Sequence, residues 1–240
     1  MTAPVDRVVV VIPAYDEVDT IATGVASVLE AARRVEPRVH VDVVVAVDRA
    51  SGDGSAAVAR WALRGRGHDV TSPGCVVEEA FGTVGRARRR ATEVGLARAD
   101  VPLERTWLAT TDADTLVPPS WIERQLEIAA DGAVGVAGIV ELHEPPASLD
   151  LRFRHHYRTA DDGSHGHVHG ANLGVRADVL VAAGGWRDLA TGEDHDLWHR
   201  VRACGPVVHT TAVRVATSPR RHGRAPEGFA ADLAALEPTA

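Results

Sequence analysis

At 240 residues, 45% hydrophobic and 25% charged, the chain has an ordinary globular composition and enough length for one large α/β domain with a real core. A formal net charge of −7 argues against nucleic acid as a bulk partner, and no apolar run of about 18 residues is present to act as an integral membrane segment. The opening "MTAPVDRVVVVIP" lacks a basic leader and a small-residue cleavage pattern, and Cys75 and Cys204 lie outside any CxxC spacing, so a cytoplasmic location with buried, reduced thiols is expected.

Residues 7–12, "RVVVVI", read as a parallel strand covered by helices on both faces. A helix follows with Ile21, Val25, Val28, Leu29 and Ala32 on one face, capped by Asp19 or Thr20 and closed by Pro37. A second strand, about 41–47, leads through "DRASGDGS" into a helix near 55–64. A short strand over 74–77, a helix near 83–99 carrying an arginine cluster and a strand at about 106–111 continue the alternation. This predicts an α/β fold with a mostly parallel, doubly wound (Rossmann-like) sheet flanked by helices. Beyond residue 119 come a helix with Trp121, Leu126 and Ala129, then a strand in "AVGVAGIVEL". An irregular stretch over 143–169 is expected next. The chain recovers with "GVRADVLVAAGG", a helix opening at Glu193 and Asp194, a strand in 207–217 and a polar tail over 225–240. With no repeat and no linker, residues 1–240 are expected to form a single domain.

Ligands of open parallel sheets bind beyond the carboxyl ends of the strands. Three strand ends here carry distinctive residues: "PAYDE", "DRASGDGS" and "TDADT". A dinucleotide-binding turn needs glycines after the first strand, whereas Asp16 and Glu17 there would repel a phosphate. No GxxxxGK[ST] loop is present either. Acidic strand ends suit a base and ribose, or a divalent cation such as Mg²⁺ or Mn²⁺ that in turn holds phosphates. Asp112 and Asp114 fit that use; they fit equally a turn cap before Pro118 and Pro119. Local basic clusters at 86–90 and 220–224 keep an anionic small ligand open.

In order, "VVVVIPAYDE", "VDRASGDGS", "GTVGRARRRATEVGLARA", "TDADT", "HGANLGVRADVLVAAGGW" and "GEDHDLWHRVRACG" resemble the family 2 glycosyltransferases of the GT-A fold, from residue 7 to about 224. The resemblance implies a metal-dependent enzyme moving a sugar from a nucleoside-diphosphate sugar donor to a hydroxyl of a small-molecule or soluble acceptor. It implies a nucleotide-sugar-binding half at about 7–117 and an acceptor-binding half at about 118–224. Asp112 and Asp114 would be the DxD motif, with Asp114 on the metal, Asp112 on the ribose or the metal's waters, and His222 as a further metal ligand. Pro13, Ala14, Tyr15 and Glu17 would border the nucleoside, with Asp48 accepting from the base. Arg86 and Arg90 would border the donor, and Arg220, Arg221 and Arg224, around His222, would neutralise the leaving diphosphate. The chain departs from the family pattern at Arg49, where "DRAS" replaces "DDGS", and in the arginine segment, where an arginine stands for asparagine.

Asp194, with Glu193 beside it, matches the acid that serves inverting members as general base; with retention it would orient the acceptor instead. His169, Gly170, Ala171 and Asn172 fall in the family's acceptor segment. His165, His167 and His169 alternate, so an extended chain would put them on one face, as Zn²⁺ ligands, acceptor contacts or plain loop histidines. Two other classes remain: a nucleotidyltransferase of related fold, which would want a Gly-rich basic loop where "PAYDE" stands, and a non-catalytic nucleotide-sugar-binding protein.

Overall fold

The computed structural model describes residues 4–64, 74–98, 100–157, 159–160, 163, 165–221, 223 and 228–236. β1 (Arg7–Ala14), β2 (His40–Asp48), β3 (Cys75–Glu79) and β4 (Thr106–Thr110) alternate with α1 (Ile21–Val35), α2 (Ser55–Leu63) and α3 (Val84–Ala97). The second half adds β5 (Thr115–Leu116), α4 (Trp121–Ala130), β6 (Gly135–Leu142), α5 (Ala147–His156), β7 (Leu173–Arg176), α6 (Ala177–Ala182), α7 (Glu193–Arg202), β8 (Val207–Thr217) and α8 (Phe229–Ala235). One eight-stranded sheet runs in the order β3-β2-β1-β4-β7-β6-β8-β5. It is mostly parallel, as expected; β7 is antiparallel to both β4 and β6, and β5 to β8.

Hydrophobic alternation explains the layers. Val8, Val10 and Ile12 of β1 enter one core with α1, α2 and α4 residues such as Val25, Ala59 and Trp121. Val9 and Val11 enter a second core with Ala87 and Ala91 of α3, Leu180 of α6 and Leu197 and Val201 of α7. A strand apolar on both faces is stable only between two helical layers, because each fully buried valine contributes about 1.5–3 kcal/mol. At β7 the backbone passes so close to the core that a Cβ on Gly174 would lie 2.1 Å from Gln125 Oε1 and 2.7 Å from Trp107 Nε1. Those two atoms already share a 2.9 Å hydrogen bond, so only glycine fits.

Three expectations need correction. The stretch 143–169 is not wholly irregular: it contains α5, whose Leu149 and Phe153, four residues apart, are buried. The polar tail contains α8, and Leu233 of α8 joins Leu142, Leu149 and Phe153 in a third small core. The cysteines are free as expected but not buried: Cys75 is half-buried and Cys204 exposed.

Asn172 closes an irregularity in the sheet. The β6–β8 register shifts between Gly138 and Ile139. There Asn172 Nδ2 donates to Ile139 O at 2.8 Å and to Val213 O at 3.0 Å, while its Oδ1 accepts from Trp121 Nε1 at 2.9 Å. Replacing it by alanine strands buried donors and acceptors. Asn172→Ala is expected to cost on the order of 3 kcal/mol in urea denaturation, with the compact fold otherwise retained.

Candidate active site

Because β1, β2 and β4 are parallel, their carboxyl ends deliver residues 13–17, 48–53 and 111–114 to one rim of the sheet. Side chains of the second loop then fix the backbone of the first. Ser51 Oγ accepts from Asp16 N at 3.0 Å, Ser55 Oγ from Glu17 N at 2.8 Å, and Asp53 Oδ2 from Val18 N at 2.9 Å. These bonds stabilise Asp16 at a left-handed φ of 53°, a region open to aspartate but uncommon for other side chains. Asp48 accepts three backbone N–H groups, from Ala50, Phe81 and Gly82, and so holds the loop after β3 against the rim. Its expected hydrogen bond to a base must therefore compete for a carboxylate that is largely committed. Arg49, the departure from the family pattern, turns to Glu78 O at the sheet edge.

A cavity of about 1100 Å³ opens at this rim. Pro13, Ala14, Tyr15, Glu17, Asp48, Arg86, Asp112, Asp114 and Arg220 line it, together with His169, Gly170, Ala171, Glu193 and Asp194. Two expected residues lie elsewhere. Asn172 is in the core, and Arg90 pairs with Glu79 at 2.9 Å and Glu93 at 3.5 Å on the outer face of α3. His222 and Arg224 lie outside the described residues.

The residue the sequence reading passed over is Arg88. It lies two positions from both Arg86 and Arg90, about 200° around the helix, and so points inward with Ala87, Ala91, Thr92 and Gly95. Its side chain is 4% exposed, and its guanidinium bonds Asp112 Oδ1 at 2.5 Å, pairs with Glu193 and sits 5.4 Å from the Trp186 ring centroid. Burial pulls against its charge, but Asp112, Glu193 and Asp194 together hold it above the usual arginine range. Glu193, expected beside Asp194 as a catalytic acid, is instead buried in this pair, and desolvation raises its carboxyl even against Arg88. The helical spacing of Arg88 to Ala91, Thr92 and Gly95 was the available signal.

A second cluster surrounds Asp114. Arg220 bonds both oxygens of Glu17, at 2.9 and 2.6 Å, and reaches Asp114 Oδ2 at 3.1 Å. Burial pushes the Asp114 carboxyl up to about 6; Arg220 opposes this, while Asp112 and Glu17 add to it. Asp194 is set differently. The left-handed turn at Gly192 (φ 73°) starts α7, and Asp194 in its first turn accepts from Gly170 N at 2.7 Å and His195 N at 2.8 Å. Asp196 of the same helix pairs with Arg187 and Arg200.

His165, His167 and His169 do share one face, and their rings stack in series with centroids 5.8 and 6.1 Å apart. Burial lowers His169 to about 4, despite nearby Asp194, so it is neutral at physiological pH. Among the described residues, no group of three His, Cys, Asp or Glu side chains is arranged to hold a metal ion by itself, and no helix is long and apolar enough to cross a membrane.

Residues 9–180 match the family model described as Glycosyl transferase family 2. No match was found among curated proteins. Among solved structures, S. aureus TarS 1-349 superposes with a TM-score of 0.61 at 12% identity, covering 90% of this chain and 61% of that one. The chain thus spans under two thirds of TarS 1-349, and 36% of the longer TarS structure. Glucosyl-3-phosphoglycerate synthase from Mycobacterium tuberculosis, in complex with Mg²⁺ and uridine-diphosphate, superposes with a TM-score of 0.54 at 14% identity, covering 95% of this chain and 77% of that one. At such identities the likeness shows a shared fold.

Two outcomes follow from the charge networks. Arg88→Ala leaves two carboxylates without their buried partner and is expected to cost about 3–5 kcal/mol in urea denaturation. Arg88→Lys recovers only part of this, because an ammonium cannot fork to both acids. Asp114 binds its proton more tightly folded than unfolded, so stability falls as pH rises from about 4 to 6. Asp114→Asn removes that fall, as urea midpoints of both proteins at pH 4.5 and 6.5 will show.

Proposed function

Because the chain belongs to glycosyl transferase family 2, we propose that it transfers a sugar from a nucleoside-diphosphate donor to a hydroxyl of a small acceptor in the rim cavity. The supporting observation is that one cavity gathers the acids of the strand ends, Glu17, Asp112 and Asp114, with Arg220 and the α7 acid Asp194. Its volume of about 1100 Å³ exceeds the roughly 300–1,000 Å³ usual for one small ligand, and suits a donor with a small acceptor beside it. The structural neighbours favour the same donor class: the mycobacterial synthase has been crystallised with Mn²⁺ and uridine-diphosphate-glucose.

In this reading Pro13, Ala14 and Tyr15 border the nucleoside, while Arg86 and Arg220 meet the diphosphate. The donor set fits Mg²⁺ or Mn²⁺, which take hard oxygen ligands through one or two carboxylates plus substrate phosphates. Asp114, desolvated and crowded by Asp112 and Glu17, gains from an added cation, since Arg220 only partly compensates these acids. Asp114 would hold the ion with Asp112 beside it, and His222 is the further ligand implied by the family resemblance. The ion supplies charge neutralisation for the departing diphosphate.

Asp194 acts as general base. The acceptor oxygen bonds to the anomeric carbon as the bond from that carbon to the diphosphate oxygen breaks. The electron pair leaves with the diphosphate, and the acceptor proton passes to Asp194. The two backbone N–H groups on Asp194 orient its carboxylate, and such a base is worth about 10²–10⁴-fold.

Titration with a panel of nucleoside diphosphates, with and without Mn²⁺, tests the proposal. Tight binding of one diphosphate is expected only with the metal, and Asp114→Asn is expected to abolish the metal's effect. No binding to any diphosphate sinks the reading; equal binding without metal removes the metal. Asp194→Asn is expected to bind donor normally and to lose about 10²–10⁴-fold in kcat; full activity would remove the base assignment.

A further inference from the structure

The cavity has a second wall that the transfer reading leaves without a task. Tyr157, just past α5, His167, His169 and Phe229, the first residue of α8, all line it. Tyr157 lies 5.0 Å from His167, 5.6 Å from His169 and 6.0 Å from Phe229, centroid to centroid. His169 is 5.6 Å from Phe229. The four rings therefore form one continuous aromatic surface. It is supported from behind: Phe153 stacks on Tyr157 at 4.6 Å, and the small α5–α8 core packs beneath both. Asp194 sits at its edge, because the N–H it accepts at 2.7 Å belongs to Gly170, the residue after His169.

Among the described residues, the carboxylates on this wall are Asp194 and Asp232, the latter 3.3 Å from the Tyr157 hydroxyl. Of the arginines that line the cavity, Arg86 and Arg220 are taken by the diphosphate in the transfer reading, and Arg88 is buried between Asp112 and Glu193. His169, kept neutral by burial, adds no positive charge. An anionic acceptor would face two carboxylates here. A neutral ring would find a surface to stack on.

We propose that the acceptor is an uncharged, hydroxyl-bearing ring compound that stacks on Tyr157, His167, His169 and Phe229 and presents its hydroxyl to Asp194. This rests on the transfer reading above and names the substrate class it leaves open. A sugar ring and an aromatic ring offer the same chemistry, an apolar face with a hydroxyl at the edge.

The test uses the full chain saturated with the diphosphate it binds, and follows acceptor binding by saturation-transfer NMR and calorimetry. The probes are methyl β-glucopyranoside, benzyl alcohol, phenyl β-glucopyranoside and, as the anion, 3-phosphoglycerate. At least one neutral ring compound is expected to bind with its ring protons saturated, and to bind more tightly than 3-phosphoglycerate. The methyl glucoside and benzyl alcohol arms tell a sugar ring from an aromatic one. His167→Ala and Phe229→Ala are each expected to weaken that binding about 3- to 10-fold, with diphosphate affinity unchanged. If Phe229→Ala disturbs α8, His167→Ala still decides, since it removes one ring of the wall. Preference for 3-phosphoglycerate, no binding of any neutral ring, or binding indifferent to His167→Ala overturns the inference while diphosphate binding stands. Loss of diphosphate binding in the unaltered protein counts instead against the transfer reading itself.

Discussion

A guanidinium cut off from water must keep its counter-charges within hydrogen-bond reach, or the fold bears the cost of a bare buried ion. Arg88 meets that condition with two acids from opposite halves of the chain, Asp112 after β4 and Glu193 at the start of α7. The same ion pair therefore sets where the acidic strand end stands and where α7 begins. Asp194 follows Glu193 directly, so its position is inherited from Arg88 through one peptide unit. Close packing reinforces this, since a Cβ on Gly85 would lie 2.3 Å from Arg187 O.

The remaining parts of the rim are secured in the same manner, by polar side chains that satisfy backbone groups of a neighbouring loop. Ser51, Asp53 and Ser55 take the N–H groups of residues 16–18, and Asp48 takes those of residues 81–82. Loops so held frame the cavity. The cost falls on charge: Glu17, Asp112 and Asp114 are brought together with Arg88 and Arg220 in compensation. Acids and arginines on one wall and an aromatic surface on the other follow from this division, with Asp194 at the meeting point.

Much of the architecture was legible in advance because it depends on local pattern. The β-branched runs of β1 and β2, the small-residue face of α3 and the acidic pair after β4 each declare themselves within a few residues. What escaped was α5 and α8. Each buries only two residues, so neither shows a strong helical stripe, and they are stabilised by packing on each other. Of Arg86 and Arg90, the first lines the cavity and the second faces outward, while Arg88, about 200° around the helix from both, faces the interior. Asn172 stood in a segment expected to touch the acceptor, but β6 and β8 take both bonds of its Nδ2 and Trp121 of α4 takes its Oδ1.

The sequence by itself determined the fold class, the sheet rim at which the cavity opens and some of the side chains that line it. It could do so because strand direction and hydrophobic period are local properties, and ligands of parallel sheets collect at the carboxyl ends. Tertiary structure alone decided the partners. Which acid meets Arg88, which carboxylates Arg220 bridges, that Glu193 is buried while Asp194 faces the cavity, and that four rings from three segments form one wall are long-range facts. They depend on contacts such as Tyr157–Asp232, Arg88–Glu193 and Arg220–Glu17, between residues 75, 105 and 203 positions apart, and no local pattern carries that information.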